Sequence, residues 1–279
     1  MVRTYRTMIK CIDWPIGVCT WSLDNNFDKI SELAEQTGLS HLNLGIAPAL
    51  GKKGEKYLSR VQKEGWNITA TMMSFPQEDY STLESIKATG GIVPDRYWEE
   101  TLKRLIDAMD ITVRLGVKYL AFHFGFLDHA GERAMIFNDR ARLLADAAAD
   151  RGIMILMETG QETAAELKQF LEELNHPALG VNLDPANMIL YDKGNPIEAA
   201  NTLAPWIQHI HVKDALRTKI PGTWGQEVPW GSGQVGGPEF LRALKQINFT
   251  GALAIEREAG ESRLDDIKTA IDALKNFVG

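Results

Sequence analysis

Four residues in the second half of the chain have side chains that bind divalent cations, and they recur at comparable places: Glu158, Asp184, His211 and Glu256. Each closes a short apolar run, over residues 153–157, 179–183, 207–210 and 252–255 respectively. Glu158 and Asp184 are 26 positions apart, and Asp184 and His211 are 27 apart. One strand–helix repeat is about that long. The 45 positions from His211 to Glu256 include a Gly- and Trp-rich stretch over 215–237, which accounts for the excess. Residues at one level on consecutive strands converge near the axis of a closed parallel sheet. Three carboxylates and one imidazole form an oxygen-rich ligand set that suits Mg²⁺, Mn²⁺ or Co²⁺; Zn²⁺ is disfavoured because it prefers more nitrogen or sulfur. Two octahedral positions then stay open for a substrate carbonyl and its neighbouring hydroxyl.

Each residue has a plainer reading when taken alone. Asp184-Pro185 also reads as a helix cap followed by proline at the first helical position. Glu158 and Glu256 also read as rim residues paired with Arg or Lys, and His211 as a structural histidine. His209 competes with His211, because residues two apart share one strand face. His211 is preferred since it lies nearer the strand end. The joint pattern favours a metal site.

The elements that would position these residues alternate eight times. Apolar, strand-like runs cover 16–23, 41–46, 68–75 and 119–126, followed by the four runs above. Helical spacing covers 28–37, 55–65, 96–115, 132–151, 163–174, 196–204, 238–247 and 264–277. Gly38, Gly116 and Gly152 supply stops, and Pro238 a start. Eight β-then-α units without a polar break predict a single-domain (β/α)₈ barrel over 1–279. An open doubly wound sheet is the alternative. It needs a Gly-rich phosphate turn after strand one, where this chain reads Cys19-Thr20-Trp21-Ser22-Leu23-Asp24. Two long connections, 74–95 and 215–237, fall at the carboxyl-end face and read as binding loops or lids.

Size and charge narrow the classes. A chain of 279 residues suits one barrel of about 250 residues. The net charge of −7 disfavours nucleic acid as a partner. Cys11 and Cys19 are eight apart and form no metal or disulfide motif, which fits reduced thiols in a cytoplasmic protein. The first 13 residues carry Arg3, Arg6 and Lys10 and no long apolar stretch, so they do not read as a secretory signal. No run is long enough to span a membrane.

The segments Met157-Glu158-Thr159-Gly160, Asn182-Leu183-Asp184-Pro185-Ala186-Asn187-Met188, His209-Ile210-His211-Val212-Lys213-Asp214 and Ile255-Glu256-Arg257-Glu258 resemble the xylose isomerase-like TIM-barrel superfamily of sugar-phosphate isomerases and epimerases. That superfamily also holds ketose 3-epimerases, inosose dehydratase, hydroxypyruvate isomerase and endonuclease IV. The resemblance implies that Glu158, Asp184, His211 and Glu256 are the metal ligands and that Glu158 and Glu256 also handle protons. It implies substrate or ligand-supporting contact for Asn187, and a substrate-binding role for Arg217 as in the ketose epimerases, although Lys213-Asp214 is more similar to other branches. The nuclease branch fits only in part. His123-Phe124-Gly125 is similar to its His-Pro-Gly motif, but Thr71-Met72-Met73-Ser74-Phe75 lacks its third-strand histidine and Glu227-Val228-Pro229-Trp230-Gly231 lacks its Asp-x-His pair.

The expected chemistry is isomerisation or epimerisation of a sugar or keto-sugar. A cation on the carbonyl and adjacent hydroxyl stabilises a cis-enediolate, and a carboxylate in reach takes the proton. Strands five and eight are three steps apart, so Glu158 and Glu256 approach the planar intermediate from different sides. A dehydratase of a keto-sugar or inosose is the alternative, since the same enediolate can expel a β-hydroxyl. An abasic-site endonuclease and a non-catalytic sugar binder rank lower. His123 reads either as a substrate-binding residue or as a histidine buried by Phe122, Phe124 and Phe126. Lys213 reads as a ligand for a substrate hydroxyl or as a partner of Asp214. Trp14, Trp21, Trp224 and Trp230 offer an apolar wall, and 231–237 offers backbone N–H groups to a phosphate. Exposed apolar loop residues allow a homo-oligomer.

Overall fold

The computed structural model describes residues 8–127 and 131–278; the basic residues Arg3 and Arg6 lie outside them. Eight parallel strands form the barrel: β1 (Trp14–Cys19), β2 (His41–Gly45), β3 (Asn67–Met72), β4 (Tyr119–Phe122), β5 (Met154–Glu158), β6 (Leu179–Leu183), β7 (Ile207–Val212) and β8 (Ala252–Ile255). Each pairs with the next, and β8 pairs with β1 through Leu253 opposite Ile16, which closes the sheet. Closure removes both edges, so no strand is left with an unpaired ladder. The outer ring is α1 (Phe27–Thr37), α2 (Gly54–Glu64), α3 (Trp98–Arg114), α4 (Gly131–Asp150), α5 (Ala164–Leu174), α6 (Pro196–Leu203), α7 (Gly237–Gln246) and α8 (Arg263–Lys275).

Side-chain alternation divides the strands between two environments. Leu42, Leu44, Leu120, Phe122, Ile155, Val181, Leu183, Ile210, Val212 and Leu253 are buried in the apolar core. Burying each of these stabilises the fold by about 1.5–3 kcal/mol. The alternate positions of β2, β6 and β7 are polar, and Asn43, Asn182, His209 and His211 are all buried. That polar interior lies beneath the carboxyl-end face.

The expected strands 16–23, 68–75 and 119–126 all end early. Thr20–Leu23 turns into a 3-10 helix. The Thr20 hydroxyl holds the Asn25 side chain at 2.7 Å and accepts from the Gly45 backbone at 2.9 Å, so the strand is drawn out of line. β4 stops before Gly125, which has φ +98, outside strand geometry. One short helix was not expected, Leu83–Thr89 inside the first long connection; Pro185–Leu190 directly after β6 is the helix that the cap reading of Asp184-Pro185 implied. The second long connection begins as an antiparallel hairpin of Asp214–Leu216 with Gln226–Val228. No helix among the described residues is long and apolar enough to cross a membrane.

Candidate metal centre

The ends of β5 to β8 bring Glu158, Asp184, His211 and Glu256 together. Each offers one ligand atom, and the four atoms lie within 4.8 Å of one another. His211 Nδ1 is the hub, at 3.0 Å from Glu158 Oε1, 3.3 Å from Glu256 Oε2 and 3.8 Å from Asp184 Oδ2. All four residues are at most 5% exposed. Three buried oxygens in the cluster, Glu158 Oε2, Asp184 Oδ2 and Glu256 Oε2, make no hydrogen bond, and apart from His211 only longer charge contacts reach them, from His123 at 3.3 Å and from Lys213 at 3.7 and 3.1 Å respectively. Buried carboxylate oxygens left in that state are costly unless a cation takes them. The donor set, its spacing and these three oxygens fit one divalent cation.

Local sequence explains each placement. Asp184 is both a cap and a member of the cluster. Its Oδ1 accepts from Ala186 N and Asn187 N at 2.8 and 3.0 Å, starting the Pro185–Leu190 helix, while Oδ2 faces the cluster. Thr159 braces the neighbouring strand end, donating to Asp184 O and accepting from Asp184 N. Gly160 has φ +137, and a Cβ there would meet Asn187 Cβ at 2.6 Å. Its lack of a side chain lets Asn187 approach Glu158, to which Asn187 Nδ2 donates at 3.4 Å. Trp21 donates from Nε1 to Glu256 Oε1 at 2.5 Å.

The charges are strongly interdependent. Burial would raise the Glu256 carboxyl, but Lys213 and His211 hold it well below the usual carboxylate range. Burial would also raise Glu158, and His123 and His211 hold it low. In Asp184 burial prevails over Lys213, and the carboxyl is raised. Burial opposes charge on His211, yet the carboxylates of Glu256 and Glu158 beside it hold the imidazole protonated well above the ordinary histidine range. Cys19, completely buried beside His211, is pushed up to about 12 by burial and stays a neutral thiol.

A cavity of about 670 Å³ opens over the cluster, lined by Glu158, Glu256, His123, Asn187 and Lys213 among others. His123 Nε2 lies 3.3 Å from Glu158 Oε2, and its Nδ1 is buried without a partner. Phe122 and Phe124 stack on each other at 4.6 Å, with their neighbours in the core. Lys213 does not pair with Asp214. Its Nζ lies 3.1 Å from Glu256, 3.0 Å from Glu258 and 3.7 Å from Asp184. Asp214 instead accepts from the backbones of Ala215, Gly231, Gly233 and Val235 at 2.9–3.1 Å and pins the long connection. The N–H groups of Gly231, Gly233 and Val235 are therefore spent on Asp214 and are not available to a phosphate. Arg217 does not line the cavity; its guanidinium pairs with Asp192 and donates to Gly194 O. Its position six after His211 places it past the strand end, on a hairpin that carries it away. Of the four tryptophans, Trp21 and Trp224 line the cavity. Trp14 donates to Phe249 O and packs in the core, and Trp230 packs against Gly237.

Glu78 is the lining residue least visible in sequence. It sits in the first long connection and accepts from Phe75 N and Gly91 N at 2.9 and 3.2 Å. Burial raises its carboxyl above the ordinary value.

A model of the xylose isomerase-like TIM barrel family matches residues 24–277. The crystal structure of a xylose isomerase domain protein from Planctomyces limnophilus superposes with a TM-score of 0.86 at 30% identity, covering 95% of this chain and 97% of that one. A 3-dehydroshikimate dehydratase from Bacillus anthracis is 27% identical over 35% of this chain and 36% of its own length. A ketose 3-epimerase from Arthrobacter globiformis is 25% identical over 64% of this chain and 62% of its own length. The alignments thus span less than two thirds of both curated relatives, one of which is an epimerase and the other a dehydratase.

Proposed function

This chain belongs to the xylose isomerase-like TIM-barrel family, and we propose that it is a divalent-metal-dependent isomerase or epimerase of an uncharged keto-sugar. The observation that carries the reading is the cluster of four candidate ligand atoms within 4.8 Å, three carboxylates and an imidazole buried together and opening into a cavity. The same geometry in a non-catalytic binder would leave Glu158 and Glu256 with no use for their outward access.

Glu158, Asp184, His211 and Glu256 would hold a divalent cation, which would supply Lewis acidity to a substrate carbonyl and adjacent hydroxyl and so make the neighbouring carbon acid. Glu158 and Glu256 both line the cavity and are held ionised, so either can act as base. They stand on β5 and β8, on two sides of His211. Removal of a proton by one and delivery by the other inverts the carbon. Return to the adjacent carbon interconverts aldose and ketose. His123 and Asn187 line the cavity and offer hydrogen bonds to substrate oxygens. Trp21 and Trp224 supply apolar faces for the ring.

Charge balance supports an uncharged substrate. Five glutamates line the cavity: Glu78, Glu158, Glu227, Glu256 and Glu258. Among the described lining residues Lys213 carries the sole fixed positive charge, and Glu256 and Glu258 already engage it. One divalent cation leaves the site without spare positive charge for a phosphate or carboxylate. Dehydration is the second reading, favoured by Glu78, a further carboxyl on the cavity wall whose hold on a proton burial strengthens and which stands where an acid for a departing hydroxyl is needed. A nuclease is disfavoured, because the ligand groups found among the described residues share His211 and Glu256 and form one centre.

The test is NMR in D₂O with neutral ketoses, inososes and 3-keto-glycosides, after metal removal and reloading with Mg²⁺, Mn²⁺ or Co²⁺. Solvent deuterium should enter the substrate at carbon. Loss of one water in the product mass would select the dehydratase, and no exchange with any of these sugars would refute both readings.

A further inference from the structure

We propose that Thr69, Asn182 and His209 form a buried relay that sets the tautomer of His211 and so keeps its Nδ1 lone pair available to the cation. The inference rests on the metal-site reading above. His211 Nδ1 faces the three carboxylates. A neutral imidazole has one N–H, so a ligating Nδ1 requires the proton on Nε2 and an acceptor there. Nε2 lies 3.0 Å from the Asn43 amide and 3.1 Å from the Asn182 amide. Both amides must therefore present oxygen to it, and a half-turn of the side-chain amide is enough to exchange oxygen and nitrogen. For Asn43 the half-turn breaks nothing else, since its Oδ1 has no partner.

Asn182 is different, because its other end is engaged. It lies 2.9 Å from His209 Nδ1. With the Asn182 oxygen on His211, its nitrogen donates to His209 Nδ1, and the His209 proton sits on Nε2. That nitrogen lies 2.9 Å from Thr69 Oγ1. Thr69 has a single hydroxyl proton, and it goes to the Leu42 carbonyl at 3.1 Å. A carbonyl can only accept. Thr69 Oγ1 is thus left to accept from His209, and the polarity of the whole chain follows from one main-chain oxygen. Asn182, His209 and His211 are all at most 1% exposed, so no water competes for these bonds. Thr69, Asn182 and His209 are positioning residues, acting on the cation through His211.

Two measurements test this. In the Mg²⁺-loaded protein, ¹⁵N NMR should place the ring protons of both His209 and His211 on Nε2; a proton on Nδ1 of His209 would overturn the relay. Separately, Mn²⁺ titration calorimetry compares the wild type with Thr69→Val and Thr69→Ser. Loss of the anchoring hydroxyl should weaken Mn²⁺ about 10-fold or more, the scale of change typical when support for a metal ligand is lost. Thr69→Ser should keep wild-type affinity, which a packing role for the Thr69 methyl would not allow. Unchanged affinity in Thr69→Val, beside a wild type that binds, would overturn the relay alone. A wild type that takes up no cation would overturn the metal reading and the relay together.

Discussion

Replacing Trp21 by Phe removes one N–H and leaves most of an aromatic wall. That N–H donates to Glu256 Oε1 at 2.5 Å, and the indole edge meets the His211 ring at 5.7 Å between centroids. Glu256 is 5% exposed, so solvent gives little compensation. A hydrogen bond to a buried charged group contributes about 1.5–3 kcal/mol. At about 1.4 kcal/mol per factor of ten, its loss predicts about a 10- to 150-fold decrease. The decrease divides between cation affinity and turnover according to what Glu256 does. If its orientation serves the cation, Mn²⁺ titration calorimetry shows the loss in Kd; if it serves proton transfer, saturating Mn²⁺ leaves kcat low in the deuterium-exchange assay. The melting temperature serves as the control for packing. A variant that folds and stays within twofold of wild type in both Kd and kcat/KM would refute the assigned role of Trp21.

Lys213→Met should destabilise the metal-free protein by about 3–5 kcal/mol, because it leaves Glu256 and Glu258 near one another without their cation; urea unfolding checks this, and added Mn²⁺ should restore part of the loss. His211 is held protonated well above the ordinary range in the metal-free cluster, so a cation must displace that proton; Kd should tighten as pH rises through neutrality, and calorimetry in buffers of different ionisation enthalpy should detect proton release. No release would contradict the arrangement. Glu162 is buried and its carboxyl is raised to about 8 from an ordinary 4.5. The folded state holds that proton more tightly, so the contribution is complete below pH 4.5 and declines by about 1.4 kcal/mol per pH unit up to about 8. Glu162→Gln should remove the decline; equal pH slopes for variant and wild type would contradict it. Asp214→Ala should free the backbones of Gly231, Gly233 and Val235 and speed amide exchange across 215–237, with unchanged exchange counting against Asp214 as the anchor.

The barrel was legible because each strand carries its own period and its own stop, and because Glu158, Asp184 and His211 fall at successive strand ends 26 and 27 positions apart. Residue type and position along a strand are local properties. Asp184 shows where local reading divides: cap and cluster member looked like alternatives, yet one oxygen caps the Pro185–Leu190 helix while the other faces the cluster. What stayed hidden depends on contacts across the barrel. Trp21 lies 235 positions from the Glu256 it holds, and Asn43 lies 168 from His211; no spacing rule relates them before the sheet closes. Glu78 was hidden for another reason, since an irregular connection aims it. That Arg217 lies off the cavity and that three N–H groups of 231–237 are engaged stayed hidden because sequence distance does not show where a long connection folds. Asp214 decides that, by binding the very N–H groups that looked free for a ligand.

The most direct test of the account is anomalous diffraction from a crystal soaked in Mn²⁺ after chelation. One strong peak per chain is expected, within coordination distance of His211 Nδ1 and of oxygens of Glu158, Asp184 and Glu256. A fully soaked crystal with no peak among those four side chains, or with the ion bound elsewhere and the cluster closed on itself, would contradict it.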